Sequence, residues 1–252
     1  MHFKSLWVAG SLASALFVTS NAFAAADAWQ GLYAGAALGG REQETEWKQD
    51  GKFESPFNGE VIDIGLNSKN TSKDSAAYIA LYGGYNWALG ERLLAGVELA
   101  GGYANNQSEK NRLDIGLPTQ LDLYVSVKTD WDASLRGRLG FLLTPSVLLY
   151  GTGGVAATRL NTTGYCGVTT FPILCGASTK TDDSKTLVGW TAGFGAETRL
   201  TDNLLARVEY QYSDYGSESF WAPEATQNQA YGVHNKVDLT TQTLSLGLAY
   251  RF

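Results

Sequence analysis

Six charged residues stand out by their spacing in this 252-residue sequence: Glu98, Arg136, Arg138, Glu197, Arg207 and Glu209. Each lies on the polar side of a stretch in which apolar and polar residues alternate, and a period of two puts one parity on one face of a β-strand. Three carboxylates and three guanidiniums that share a face have two options. Shielded from bulk water they pair, because an isolated buried charge is costly; lining a continuous aqueous channel they are simply solvated. Counted from the nearest tight turns, Glu98 lies about six residues along its strand. Arg136 and Arg138 lie about six and four residues along theirs, and Glu197, Arg207 and Glu209 about three, four and six, at a rise of about 3.4 Å per residue. The spacing predicts an ion network at one level of a narrow lumen, structural in role and able to gate water and ions.

Other chemistry is sparsely provided for. Nucleophilic catalysis wants a base beside a hydroxyl or thiol, and the two histidines are His2 and His234. The first falls in an N-terminal export segment, and the second in Tyr231-Gly232-Val233-His234-Asn235, read as loop. Glu98, Glu197 and Glu209 occur on strands that also supply arginine, which favours structural pairing over acid–base work. No catalytic residue and no cofactor is assigned. The segment Glu42 to Ser75 carries Lys48, Lys52, Lys69 and Lys73 against eight acidic residues, a cluster that could attract divalent cations but lacks EF-hand spacing, so no metal site is assigned. Cys166 and Cys175, the only cysteines, lie in a Thr/Gly-rich stretch; in an oxidising compartment a disulfide is the first reading and a redox or metal pair the alternative.

The elements that must position these residues follow from composition and period. Residues 1–24 read as a cleaved signal peptide: Lys4, an apolar run from Leu6 to Val18, then a small-x-small site ending at Ala24. Residues 25–252 form one exported domain. With 29 glycines, 5 prolines, 7 Trp, 13 Tyr and 10 Phe, and only 17% charged residues, the composition suits strands and turns better than helices. A formal charge of −6 argues against a nucleic-acid partner. The uncharged run Leu139 to Thr158 is interrupted by Pro145, Gly151, Gly153 and Gly154, which excludes a transmembrane helix.

Eight strands are expected: Leu32–Arg41, Ile79–Trp87, Leu93–Tyr103, Leu121–Phe141, Val147–Thr158, Val188–Arg199, Leu204–Ser213 and Leu244–Phe252. Where the facing is legible, one parity is apolar, as in Leu244, Leu246, Leu248, Tyr250 and Phe252. The facing of Leu32–Arg41 and Val147–Thr158 is ambiguous. Tight turns at Ala88–Glu91, Leu143–Ser146 and Thr201–Asn203 alternate with long polar loops at Glu42–Ser75, Asn105–Gln120, Leu160–Lys185 and Asp214–Asp238. An all-β, eight-stranded antiparallel up-and-down transmembrane β-barrel predicts this alternation of short periplasmic turns and long extracellular loops. With no helix to cover the apolar face, lipid must cover it. The opposite face, bearing Arg, Glu, Gly and Ser, reads as too small and polar for a dry core, and its glycines (Gly84, Gly96, Gly102, Gly189, Gly193, Gly195) as leaving space for water. Tyr250, Phe252 and Trp87 at the turn end, and Tyr210, Tyr212 and Trp131 toward the other, are placed as interface girdles would be.

Certain motifs, in this order, resemble those of the alphaproteobacterial outer-membrane surface antigens of the opacity-protein-like porin family. They are Trp29-Gln30-Gly31-Leu32-Tyr33-Ala34-Gly35, Gly83-Gly84-Tyr85-Asn86-Trp87, Leu135-Arg136-Gly137-Arg138-Leu139-Gly140, Leu149-Tyr150-Gly151-Thr152-Gly153-Gly154, Val188-Gly189-Trp190-Thr191 and the terminal Tyr250-Arg251-Phe252. The resemblance implies an eight-stranded barrel in the bacterial outer membrane, surface exposure and an envelope role. It also implies that Tyr250 and Phe252 resemble the C-terminal signal read by the outer-membrane assembly machinery, a transient partner beside outer-membrane lipids and lipopolysaccharide. Fold does not dictate function. A structural envelope protein, with small or gated permeability, is the first expectation; loop-mediated ligand or host-surface binding is the second, and a lipid A-modifying enzyme the third.

Overall fold

The computed structural model describes residues 26–54, 60–63, 68–112, 122–167, 179–222 and 232–252. Residues 1–24, and with them the signal-peptide expectation, lie outside this set. The strands are β1 (Gly31–Glu54), β2 (Val61–Asp63), β3 (Ser68–Ala88), β4 (Leu93–Arg112), β5 (Asp122–Thr144), β6 (Val147–Gly167), β7 (Thr179–Arg199), β8 (Leu204–Ala222) and β9 (Gly232–Arg251). Every pairing is antiparallel: β1 pairs with β3 past the short β2, β3 to β9 pair in chain order, and β9 returns to β1 from Tyr33↔Arg251 to Glu54↔Gly232, closing eight long strands into a barrel. The three-residue β2 sits outside this ring, paired with the end of β1.

Alternation sorts the side chains as the period requires. Leu81, Leu139, Val188 and Leu246 point outward and are all at least 67% exposed, while Arg136 and Thr191 point inward at 1%. No described helix covers that outer belt, which is what a lipid-facing surface looks like. The two ambiguous strands resolve: Tyr33, Ala37 and Arg41 face in while Leu32 and Leu38 face out, and Leu148, Tyr150 and Thr152 face in while Leu149 and Val155 face out. Aromatic pairs mark the belt's margins, Tyr250 with Phe252 at 5.2 Å edge to face and Tyr85 with Trp87 at 4.9 Å near the turns, and Trp190 with Tyr212 at 5.4 Å toward the other end.

Two expectations need correction. The segments read as long loops are largely strand: the eight barrel strands run 19 to 24 residues, about twice what a bilayer crossing requires. On β1 both faces are polar just past the apolar belt, as in Glu42, Glu44 and Glu46 against Gln43 and Thr45. The sequence period fades there, yet the neighbouring ladder still satisfies the backbone. The second correction concerns the glycines, which do not leave space for water. An added Cβ at Gly84 would lie 2.6 Å from Tyr33 Oη, and one at Gly195 2.5 Å from Tyr150 Oη. These are cross-strand pairs, Tyr33↔Gly84 and Tyr150↔Gly195, in which a ring lies over a residue without a side chain. The backbone or side chains of neighbouring strands similarly occupy the space over Gly96, Gly102, Gly189 and Gly193.

The lumen is consequently filled in layers. At the turn end Trp29, Leu94, Leu142, Leu148 and Leu205 form an apolar floor, fixed by Trp29 Nε1 donating to Pro145 O at 3.1 Å. At the far end Trp47, Leu160, Leu187, Val237 and Leu239 form an apolar ceiling. The charged residues lie between.

Candidate functional site

Register alone brings opposite charges together: Glu98 on β4 stands directly across from Arg136 on β5, and Glu197 on β7 across from Arg207 on β8. Strand closure then gathers the six across the lumen. Arg136 pairs with Glu98 through Nη2 and with Glu209 Oε1 at 2.8 Å through Nη1. Arg207 Nη1 lies 2.7 Å from Glu98 Oε2, and Arg138 Nη2 lies 2.6 Å from Glu197 Oε2. Longer contacts tie Arg207 to Glu197 and Glu209, each at 3.7 Å. All six are at most 6% exposed. Three positive and three negative charges cancel, which makes this burial tolerable where an unequal count would not be.

Tyrosines complete the layer. Tyr33 Oη donates to Glu98 Oε2 and Tyr150 Oη to Glu209 Oε2, both at 2.8 Å, and Arg138 Nη1 donates to Tyr33 Oη at 3.2 Å. The Arg138 guanidinium stacks on the Tyr150 ring at 3.9 Å, and that of Arg207 on Tyr82 at 3.5 Å. Aromatic faces thus hold the cation surfaces that carboxylates do not reach. A second polar layer lies above: Arg41 Nη2 meets Asp132 Oδ1 at 2.6 Å, its Nε donates to Thr243 Oγ1 at 3.2 Å, and its guanidinium lies 4.2 Å from the Tyr78 ring centroid.

Sequence reasoning missed Tyr33, Tyr78, Tyr82, Tyr150 and the Arg41–Asp132 pair. Parity on β1 carried a signal, since Tyr33 and Arg41 share it, but without a facing for that strand it could not be used. Chemically the layer is a plug. Glu98 and Glu209 accept hydrogen bonds from guanidinium and phenol groups, whereas Glu197 is held by ion pairing to Arg138 and Arg207 and neither of its oxygens accepts a hydrogen bond among the described residues.

The remaining sequence candidates are dispersed. His234 falls within β9 with its Cα opposite Trp221, not in a loop as expected, because the outer strands continue past the belt. Cys166 lies near the end of β6, its Cα opposite Leu123 and Thr179, while Cys175 lies outside the described residues, and the disulfide expectation with it. Tyr250 and Phe252 are exposed at the end of the chain, where Phe252 N donates to Leu32 O at 2.9 Å. No group of His, Cys, Asp and Glu suited to a metal ion occurs among the described residues.

Residues 10–252 match the family model described as outer membrane protein beta-barrel domain. The chain is 31% identical over 201 residues to the 25 kDa outer-membrane immunogenic protein of Brucella abortus, covering 78% of each chain. It is 30% identical over 151 residues to the 22 kDa outer membrane protein of Rhizobium leguminosarum, covering 60% of this chain and 58% of that one. Among solved structures, the attachment invasion locus protein of Yersinia pestis is 15% identical with a TM-score of 0.38, covering 88% of this chain and 99% of that one.

Proposed function

This chain belongs to the outer membrane protein beta-barrel domain family, and from that premise we propose that it is a closed structural barrel of the outer membrane that displays its long strand ends at the cell surface. One observation carries this reading: the lumen is occupied from floor to ceiling by paired and packed side chains, with the Glu98–Arg136–Glu209 and Arg138–Glu197 pairs at its centre. Eight strands enclose just enough room for side chains. Buried carboxylates already matched by arginine support a non-enzymatic role. Outer-membrane lipids and lipopolysaccharide surround the apolar belt, and the exposed Tyr250 and Phe252 serve as the assembly signal. Planar-bilayer recording on refolded protein tests the reading: a silent bilayer, or at most rare small openings, is expected, whereas steady openings of large conductance would overturn it. Loop- and strand-mediated binding at the surface is the second reading, favoured by strands that run well beyond the belt.

A further inference from the structure

Register sets the outward side chains of β8, β9, β1 and β3 side by side in rows, because directly opposed residues of neighbouring strands share a face. Near the outer margin of the apolar belt one row is Val208, Leu246, Leu38 and Ile79, all at least 41% exposed. The next row outward is Tyr210, Leu244, Gly40 and Ala77, and the one beyond it Tyr212, Gln242, Glu42 and Ser75. Gly40 and Ala77 therefore put two short positions beside each other between bulky rows. A Cβ added at Gly40 would meet nothing within 4 Å among the described residues. The outcome is a notch of about 410 Å³ in the outer wall, within the range of about 300–1,000 Å³ that ligand sites occupy.

The sides of the notch differ in chemistry. On the belt side Leu38 and Ile79 project, and toward β9 and β8 stand Leu244 and the Tyr210 ring. The outer side is polar. Tyr210 Oη donates to Gln242 Oε1 at 2.7 Å, so the donors that Gln242 can offer a ligand are its amide N–H groups. Ser75 adds a hydroxyl. Glu42 is paired with Lys73 at 3.3 Å, so this side carries polar groups without a net charge.

We propose that the notch over Gly40 is a lipid-binding site that seats the hydroxyacyl end of one acyl chain of lipopolysaccharide. The hydrocarbon runs over Leu38 and Ile79, and the carbonyl and hydroxyl oxygens of the linkage meet Gln242 and Ser75. Continuity with the lipid-covered belt commits the occupant to a lipid, and a place far from the tight turns commits it to the outer leaflet. The polar side fits the linkage and not a phosphate, since the Glu42 carboxylate repels an anion but accepts a hydrogen bond from a hydroxyl. A phospholipid chain offers the carbonyl alone. The site rests on the outer-membrane reading above and is independent of whether the lumen conducts.

Native mass spectrometry of the refolded full-length chain in detergent tests this, with purified hexa-acylated lipid A as one probe and dipalmitoyl phosphatidylethanolamine as the other. One lipid A per chain should be retained at about tenfold lower concentration than the phospholipid, the scale of discrimination that a hydrogen-bonded hydroxyl gives at the least. Gly40→Leu and Ala77→Leu, which fill the notch from two strands, should each weaken lipid A retention by about tenfold. Gln242→Leu should abolish the preference over phospholipid. Gly151→Leu, at an exposed β6 position whose added Cβ would lie 3.8 Å from the Gly193 carbonyl oxygen, should retain lipid A as the parent does. Heat-modifiable migration confirms that each variant is folded. The proposal fails if the phospholipid is retained as well as lipid A, if either folded notch variant retains lipid A like the parent, or if Gly151→Leu loses as much. It fails equally if the notch variants dissolve a dimer of the chain and leave lipid retention unchanged. Planar-bilayer conductance bears on the closed lumen alone, so the two readings fail separately.

Discussion

Arg207 stacks on Tyr82 with its guanidinium carbon 3.5 Å from the ring centroid while its Nη1 reaches Glu98 Oε2 at 2.7 Å. One side chain thereby joins β8 to β3 and β4 across the lumen. The contact shows how a barrel this narrow is closed: its arginines are held flat by tyrosines, from a distant strand for Arg207 and from the adjoining strand for Arg138 and Arg41, and the carboxylates sit where their ends arrive. Burial of the whole set raises the stakes of each member, since removing one partner leaves the others charged and unpaired.

Glu98→Ala should therefore destabilise the barrel strongly, by about 3–5 kcal/mol, because Arg136 and Arg207 lose their shared carboxylate. Arg138→Ala should cost a similar amount, and the double variant should cost less than the sum by about 0.5–3 kcal/mol. Urea unfolding of the refolded protein in lipid measures this. Both single variants should also conduct more than the parent in a planar bilayer. Additive, near-neutral effects with unchanged conductance would falsify the plug.

Gly195→Ala should be destabilising by about 1–3 kcal/mol, as an overpacked interior is. The new Cβ would meet the Tyr150 hydroxyl that hydrogen-bonds Glu209, so the ring and the ion layer must shift together. In a Tyr150→Ala background, which removes the ring, the same change should cost less, the remainder coming from the Val208 carbonyl that the Cβ also meets at 2.6 Å. If the two changes are simply additive, the ring-over-glycine contact is not the cause.

Above the belt, Glu46 accepts hydrogen bonds from Lys48 and Lys69, which hold its carboxyl below the ordinary glutamate range. A depressed folded-state pKa contributes stability that is present above the unfolded value and lost as pH falls through the folded one. Site-resolved NMR titration should place the Glu46 midpoint below that of a model peptide, and Lys48→Gln with Lys69→Gln should raise it. An unmoved midpoint in that variant would show that the lysines do not set it.

Cys166 and Cys175 should form a disulfide in protein taken from the envelope. Closing a loop of about ten residues constrains the unfolded chain by roughly 2–3 kcal/mol in the chain-entropy account, yet barrel closure rests on ladders elsewhere. Alkylation without reductant should leave both thiols unlabelled, and Cys166→Ala should still assemble a heat-modifiable barrel. Free labelling counts against the bridge, and failed assembly against its dispensability.

Period two and the alternation of tight turns with long segments were enough, read along the chain alone, to indicate an eight-stranded barrel with its apolar parity outward. They were also enough to put Glu98, Arg136, Arg138, Glu197, Arg207 and Glu209 on the inner face, because parity is a local property of extended backbone. Strand length was not legible beyond the belt: in Glu42–Glu46 both faces are polar, and only pairing with a neighbour shows that the chain stays extended. Pairing partners and facing across the lumen depend on closure, which couples residues as distant as Tyr33 and Arg251. Closure therefore decided that Tyr33, Tyr82 and Tyr150 fill the space over the inward glycines and that the six charges meet at one level. These outcomes depend on the distance across a closed ring, which no single strand contains.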